Sequence, residues 1–346
     1  MENIIDIKQF LEYKTKYPII DVRSQSEYLK GHIPGAVNIP VLTDEERHKI
    51  GFIYKKNGRD YAILKGLELV GPNLRSIVSR IQKISPEKNI MLHCWRGGMR
   101  SSSVSWLLNF CGFNSFVLNG GYKSFRNYAL QLFEKPRKIL ILGGKTGSGK
   151  THLINMLCQF EEQIIDLEKL AFHKGSAFGG YEQPKSLTQE QFENELAFKL
   201  METNENKYLW LEDESRTIGS LSIPNPLWEN MRKAKVIFIE VPINIRVENI
   251  VSEYGLYEKE KLQTSLQEIS KRLGGLNTKI ADEYISNNQL DKACEIILQY
   301  YDKAYLCGLS RRENSENIYY LSINNNHYYD TAGKIIEIAS TVKDKN

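Results

Sequence analysis

Cys94 lies inside HCWRGGMRS (93–101), between the apolar run NIMLH and a serine-led segment of helical pattern. Its neighbours are residues that gather an anion. Gly97 and Gly98 let successive N–H groups turn inward as a nest, the start of a helix adds its positive end, and Arg96 and Arg100 bring charge. A thiol there ionises readily, because donors that bind an oxyanion also stabilise a thiolate. The stretch therefore reads as a nucleophilic cysteine facing an anion site made by Trp95, Arg96, Gly97, Gly98, Arg100 and Ser101. Cys111 and Cys158, by contrast, sit on apolar helical faces at core spacing. His93 reads as a satisfied strand-end histidine before it reads as a tuner of the thiol.

Further on, GKTGSGKT (144–151) matches the whole phosphate-loop pattern, directly after the apolar strand KILIL and before the amphipathic HLINMLCQF. That context is what the motif requires. The N–H groups of residues 146–151 would wrap a diphosphate, with Gly144, Thr146, Gly147, Ser148 and Gly149 forming the cradle. Lys150 would reach the terminal phosphate and Thr151 would ligate Mg²⁺. A carboxylate partner belongs at the end of another strand. LWLEDES offers Glu212, Asp213 and Glu214, of which Glu212 or Asp213 is favoured for the metal; Asp166 of DLEKLA is a rival, and a capping or surface role is open to each.

The elements that must hold these loops alternate. In the first third, YPIIDVRS, NIMLHC and FNSFVLNGG read as strands, while SQSEYLKG, NLRSIVSRIQKI and SSSVSWLLNFCG read as helices. After the basic, turn-prone FEKPRK (133–138) a second series begins with KILILGG. There QIIDLEKLA, KYLWLEDES and KVIFIEVP are strand-like, QEQFENELAFKLME and 283–303 are helical, and the tail from Ile335 thins into charge. Strands and helices alternating at these lengths imply parallel sheets covered on both faces. The fold class is thus α/β in two domains, 1–134 and 135–346, the second with a helical C-terminal part.

Bulk properties agree. A chain of 346 residues exceeds what one core usually serves. Hydrophobic residues at 41% and charged at 25% describe a globular protein, and no apolar run reaches the ~18 residues of a spanning helix. MENIIDIKQF lacks a basic, then apolar, leader, so a cytoplasmic location is expected. The five cysteines show no pairing or zinc spacing and are expected as free thiols. A net charge of +4 permits a polyanionic partner without requiring one. Clusters such as Lys135/Arg137/Lys138, Arg232/Lys233/Lys235, Lys271/Arg272 and Arg311/Arg312 could form a basic stripe or simply solvated surface.

DVRSQSEYLKGHIPGAVNIP (21–40) followed by the cysteine loop resembles a rhodanese domain, whose cysteine carries sulfur as a persulfide. Cys94 and Arg100 bracket five residues, one more than the usual sulfurtransferase loop, and that length resembles the related cell-cycle phosphatases. The rhodanese-like segment joined to this phosphate loop resembles one family, the tRNA 2-selenouridine synthases. HCWRGGMRSSS, NGGYKSFR (119–126), GGKTGSGKTHL, DLEKLAFHKGSAFGG (166–180), LEDESRTIG (211–219), KRLGG (271–275) and YYDKAY (300–305) carry the likeness.

The resemblance implies S-geranylation of the wobble 2-thiouridine of tRNA by geranyl diphosphate, then replacement of the alkylated sulfur by selenium from selenophosphate. Cys94 would be the covalent carrier, and Trp95 either a stacking partner for the extruded base or a cover for the loop. A rhodanese-type phosphatase or an ATP-dependent sulfurtransferase is the alternative reading. A non-catalytic tRNA-binding or nucleotide-sensing protein comes third. No membrane role is expected.

Overall fold

The computed structural model describes residues 3–173, 187–255, 257–312, 315–325 and 327–343. It divides into two compact units, Met1–Leu132 with Glu193–Phe198, and Phe133–Phe192 with Lys199–Asn346.

The first unit is built on strands β1 (Asn3–Ile5), β2 (Ile19–Asp21), β3 (Val37–Asn38), β4 (Asn89–His93) and β5 (Asn114–Leu118). They form a sheet in the order β1-β5-β4-β2-β3, every pair parallel. Ile90 and Leu92 of β4 pack with Ile20, Val22, Ile77, Ile81, Val104 and Leu108 in one core. Burial on both faces is why β4 reads as a continuous apolar run. Two helices, Asp44–Asn57 and Arg59–Val70, interrupt the simple alternation between β3 and β4. Their weak amphipathic pattern left them unread in the sequence.

The second unit contains β6 (Ile139–Gly144), β7 (Gln163–Ile165), β8 (Leu209–Glu212), a short hairpin of β9 (Thr217–Ile218) and β10 (Leu221–Ser222), β11 (Lys235–Glu240) and β12 (Ile318–Ser322). The main sheet runs β12-β11-β6-β8-β7, again all parallel. The phosphate-loop strand β6 is therefore central. Four helices, Ile243–Tyr254, Lys259–Leu273, Gly275–Ser286 and Leu290–Ser310, form the helical C-terminal part.

Two local expectations are corrected. QIIDLEKLA is a strand only to Ile165; Asp166 then accepts a hydrogen bond from Lys169 N at 2.8 Å and starts the helix Leu167–Ala171, an N-cap overriding an apolar run. The segment 283–303 is broken after Ser286, where Asn288 takes a positive φ of 58°, and a new helix starts at Leu290. The tail is an ordered helix, Tyr328–Lys343, whose Ala332, Ile335, Ala339 and Val342 are fully buried. No helix of the described residues is long and apolar enough to cross a membrane.

Candidate functional site

Cys94 follows the last residue of β4, and the helix Met99–Phe110 opens with Gly98 as its cap. The thiol is only 3% exposed. Ser101 Oγ donates to Cys94 Sγ at 3.2 Å. Burial pushes the thiol's pKa up, but the Ser101 hydroxyl and N–H, the Arg96 N–H and the Arg100 guanidinium outweigh it, and the result lies below the ordinary thiol value. Arg96, Gly98 and Met99 are exposed and Trp95 partly so, which leaves the mouth of the nest open to an anion.

The loop is held from behind by residues whose role the sequence did not reveal. Tyr122 N donates to Cys94 O at 2.8 Å and Lys123 N to Trp95 O at 3.0 Å. A Cβ on Gly121 would lie 2.4 Å from Cys94 O and 2.5 Å from Gly97 N, and one on Gly97 would lie 2.7 Å from Leu118 O. Both glycines also have positive φ, 59° and 65°. NGGYKSFR is thus the buttress of the cysteine loop, which is why two glycines stand there.

DVR supplies the next layer. Arg23, fully buried, forks onto Asp21 with contacts of 2.6–3.0 Å and lies 3.9 Å over the Tyr122 ring. His93 is also fully buried, with Nε2 3.7 Å from Asp21 Oδ2. Burial lowers its pKa despite Asp21, so it is a neutral packing residue beside the loop. Arg100 is engaged by Glu27 at 2.6 and 3.2 Å. Glu27 itself closes the capping box of the helix Gln25–Lys30, so the arginine is anchored at a fixed place next to the thiolate.

In the second unit, Gly147 and Gly149 adopt φ of 80° and 78°, and the helix Lys150–Leu157 begins at Gly149. Lys150 Nζ donates to Gly144 O at 2.7 Å. Ser148 Oγ is buried without a partner among the described residues. The Thr151 hydroxyl lies 3.4 Å from Glu212 Oε2 and 3.5 Å from Glu168 Oε2. Glu212 is 1% exposed, and its Oε1 has no partner among the described residues. Burial first, and then the Glu168 charge, push its pKa up to about 8; burial, Asp166 and Glu253 push that of Glu168 up to about 7 against the pull of Lys150. Glu214 is raised well above its ordinary value, again chiefly by burial. A hydroxyl and two mutually repelling carboxylates, one with a vacant buried lone pair, are the donor set that suits Mg²⁺ with a bound diphosphate.

The other carboxylates are occupied. Asp213 pairs with the buried Arg312 and accepts from Tyr305 Oη at 2.6 Å, while Gly144 N donates to that same hydroxyl at 3.0 Å. Arg312 thereby leaves the surface stripe suggested by Arg311/Arg312. Asp166 caps its helix and accepts from Asn155 at 3.2 Å. Arg246 forks onto Asp302 at 2.8 Å and donates to Thr146 O at 3.1 Å, and Asn249 donates to Gly147 O at 2.9 Å. YYDKAY is therefore a support of the phosphate loop, through Asp302 and Tyr305. Sequence reading missed Glu168, Glu27, Arg23 and Tyr122, although the quoted motifs contained all four. Of DLEKLAFHKGSAFGG, residues 174–180 lie outside the described residues. All five cysteines are free, and Cys158 is exposed because a 3₁₀ turn from Cys158 to Phe160 rotates it off the apolar face.

Comparison with known proteins agrees with both halves. The family described as "Rhodanese-like domain" matches residues 6–128, and that described as "tRNA 2-selenouridine synthase AAA domain" matches residues 137–322. The tRNA 2-selenouridine synthase of Nitrosomonas europaea is 33% identical over 85% of this chain and 90% of its own. Those of Shewanella sediminis, at 33% over 90% and 94%, and Sulfurovum sp., at 34% over 83% and 87%, are similar. With a family match over more than half its length and relatives of this identity along nearly all of it, the chain belongs to the tRNA 2-selenouridine synthase family.

Proposed function

We propose that this chain converts the wobble 2-thiouridine of tRNA to 2-selenouridine in two steps, S-geranylation from geranyl diphosphate and selenation from selenophosphate. The observation that carries the reading is the Cys94 thiol, held at a helix start with its pKa lowered by Ser101, Arg96 and Arg100 inside an open anion nest. A thiocarbonyl sulfur leaves poorly, whereas an S-alkylated one leaves carbon 2 as a thiol, so alkylation prepares the substitution. The first step needs a diphosphate cradle, and the second a nucleophile beside an oxyanion site.

In the first step the amides of residues 146–151 and Lys150 hold the diphosphate and stabilise the charge that grows on it as the carbon–oxygen bond breaks. Mg²⁺, held by Thr151 and Glu212 and flanked by Glu168, would neutralise part of that charge. In the second step Arg96, Arg100 and the N–H groups of the cysteine loop hold the selenophosphate oxygens. Cys94 Sγ attacks the selenium, the P–Se bond breaks with its electrons on phosphorus, which leaves as phosphite, and Cys94 holds selenium as an S-selanyl group. That selenium adds to carbon 2, geranyl thiol leaves, and a thiol reductant breaks the Se–S bond to restore the Cys94 thiolate. The base is extruded from the anticodon to reach the loop, with Trp95 its nearest aromatic support. A cytoplasmic location follows from a tRNA substrate.

Mass spectrometry of tRNA nucleosides after incubation with the protein, geranyl diphosphate, selenophosphate and a thiol reductant tests this. Cys94→Ser is expected to stop at S-geranyl-2-thiouridine, and Lys150→Ala to leave 2-thiouridine unaltered. Both variants completing both steps would overturn the assignment. Hydrolysis of an aryl phosphate by the wild type but not by Cys94→Ser would favour the phosphatase reading.

A further inference from the structure

The helix Met99–Phe110, which opens at the cysteine loop, is apolar on its outer face as well as its inner one. Val104 and Leu108 pack into the core. Of its four exposed residues, Met99, Ser103, Trp106 and Phe110, three are apolar, and Trp106 and Phe110 are 65% and 81% exposed. Spacings of seven and eleven residues bring Trp106 and Phe110 to the azimuth of Met99 on a 3.6-residue helix. The two rings lie 6.1 Å apart with planes 18° from parallel. An aromatic strip left in water in this way marks a surface that something covers.

Charge indicates what covers it. From Lys88 to Phe133 the chain has no Asp or Glu, although it has 42 elsewhere, and it has five cations, Lys88, Arg96, Arg100, Lys123 and Arg126. Arg100 is paired with Glu27 and Arg126 with Glu193. Arg96 and Lys123 are exposed at the near end of the strip, where Lys123 N donates to Trp95 O. Lys88 stands at the far end, its Nζ donating to Cys111 O at 3.1 Å. Cations at both ends of an aromatic strip suit a phosphate chain whose bases offer π-faces. An apolar protein partner would use the rings and leave the cations idle.

At about 1.5 Å per residue, Trp106 lies about 10 Å along the helix from Met99 at the mouth of the cysteine loop, and Phe110 about 16 Å. A stacked strand advances about 3.4 Å per nucleotide, so the strip spans the few unpaired bases on one side of a nucleotide delivered to Cys94. Resting on the tRNA reading above, we propose that the Met99–Trp106–Phe110 face is the platform on which the unpaired anticodon bases beside the target nucleotide stack, with Lys123 and Lys88 at the phosphates of its two ends. Stacking there sets which base of the loop reaches the thiol. A duplex, whose base faces are already covered by their neighbours, has nothing to place on it.

The test is fluorescence anisotropy of a labelled anticodon stem–loop RNA, and of a blunt duplex of the same length, titrated with the full chain. Trp106→Ala is expected to weaken stem–loop binding at least about fivefold and the double variant Trp106→Ala/Phe110→Ala at least about twentyfold, the scale of losing one and two stacked bases, while Trp106→Phe stays within about threefold of the wild type. Duplex affinity is expected to be the same in all of them. Leu64→Ala, which removes a side chain 66% exposed on the helix Arg59–Val70, is expected to bind the stem–loop as the wild type does. Iodoacetamide is expected to alkylate Cys94 at the wild-type rate in every variant. Unchanged stem–loop affinity in the double variant, in a protein that still forms 2-selenouridine, would overturn the platform and leave the tRNA reading standing. Equal losses on duplex and stem–loop would also overturn it, and slowed alkylation of Cys94 beside lost affinity would make the rings a support of the loop instead. A wild-type dimer that the double variant converts to a monomer in light scattering, with RNA affinity kept, would make the face an interface between copies. A wild type that neither binds the stem–loop nor modifies tRNA would overturn both readings together.

Discussion

Ser101 Oγ lies 3.2 Å from Cys94 Sγ and donates to it from the first turn of the helix that the cysteine loop caps. A hydrogen bond to a charged group is worth about 1.5–3 kcal/mol, or about one to two pKa units. Ser101→Ala is therefore expected to slow alkylation of Cys94 at pH 7 about tenfold or more and to move the midpoint of its pH profile upward. Peptide-resolved mass spectrometry with iodoacetamide reads this, with exposed Cys158 as internal reference. The sign follows from a lowered thiol pKa: the stability it contributes is full above the ordinary thiol value and is lost as pH falls through the folded one. An unshifted profile would remove Ser101 from the thiolate's support.

Gly121 and Gly97 approach each other so closely that neither tolerates a side chain. Gly121→Ala is expected to lower Tm by several degrees and selenation by at least about a hundredfold, since loop displacement of an ångström is enough for that. Gly98→Ala has open space around its Cβ, and its Tm is expected to stay within about a degree of the wild type. Thermal melts beside the nucleoside assay separate the two.

Glu212 is protonated in the fold up to about pH 8 but ionises near 4.5 when unfolded. Its folded pKa is raised, so the stability it confers is full below the unfolded value and is lost as pH rises through the folded one. In the presence of EDTA, Glu212→Gln is expected to melt a few degrees above the wild type at pH 8 and to converge with it near pH 5. Added Mg²⁺ with inorganic diphosphate is expected to stabilise the wild type at pH 8 and not the variant. Equal stabilisation of both would take Glu212 out of the metal site.

Asp213 is the counter-charge of Arg312, whose Nη1 also donates to Met231 O at 2.9 Å and Arg232 O at 3.2 Å. Asp213→Asn leaves that buried guanidinium without its carboxylate, a loss of about 3–5 kcal/mol. A large fall in Tm is expected, with Mg²⁺ affinity retained by the folded fraction. Wild-type stability with lost Mg²⁺ affinity would restore Asp213 as the ligand and displace Glu212.

The two loops were readable because their geometry is local: each is a turn between a strand and a helix, so glycine spacing between the two specifies it. The supports were not. Arg23, Glu27, Gly121 and Tyr122 reach the cysteine loop from two separate segments, and Asp302 and Tyr305 reach the phosphate loop from a helix more than 150 positions away. No periodicity encodes such pairings. Helical breaks failed for a related reason, since Asp166 and Asn288 decide them through single caps and turns that an apolar pattern overruns.

The sequence by itself determined the two α/β units, the cysteine loop between a strand and a helix, and the glycine-rich loop before a second helix, because each follows from residue type and chain-local geometry. Only the tertiary structure decided which carboxylate meets Thr151. Glu212 and Asp213 are neighbours on one strand end, but alternation sends them to different surroundings: one faces the phosphate-loop hydroxyl, and the other a buried arginine.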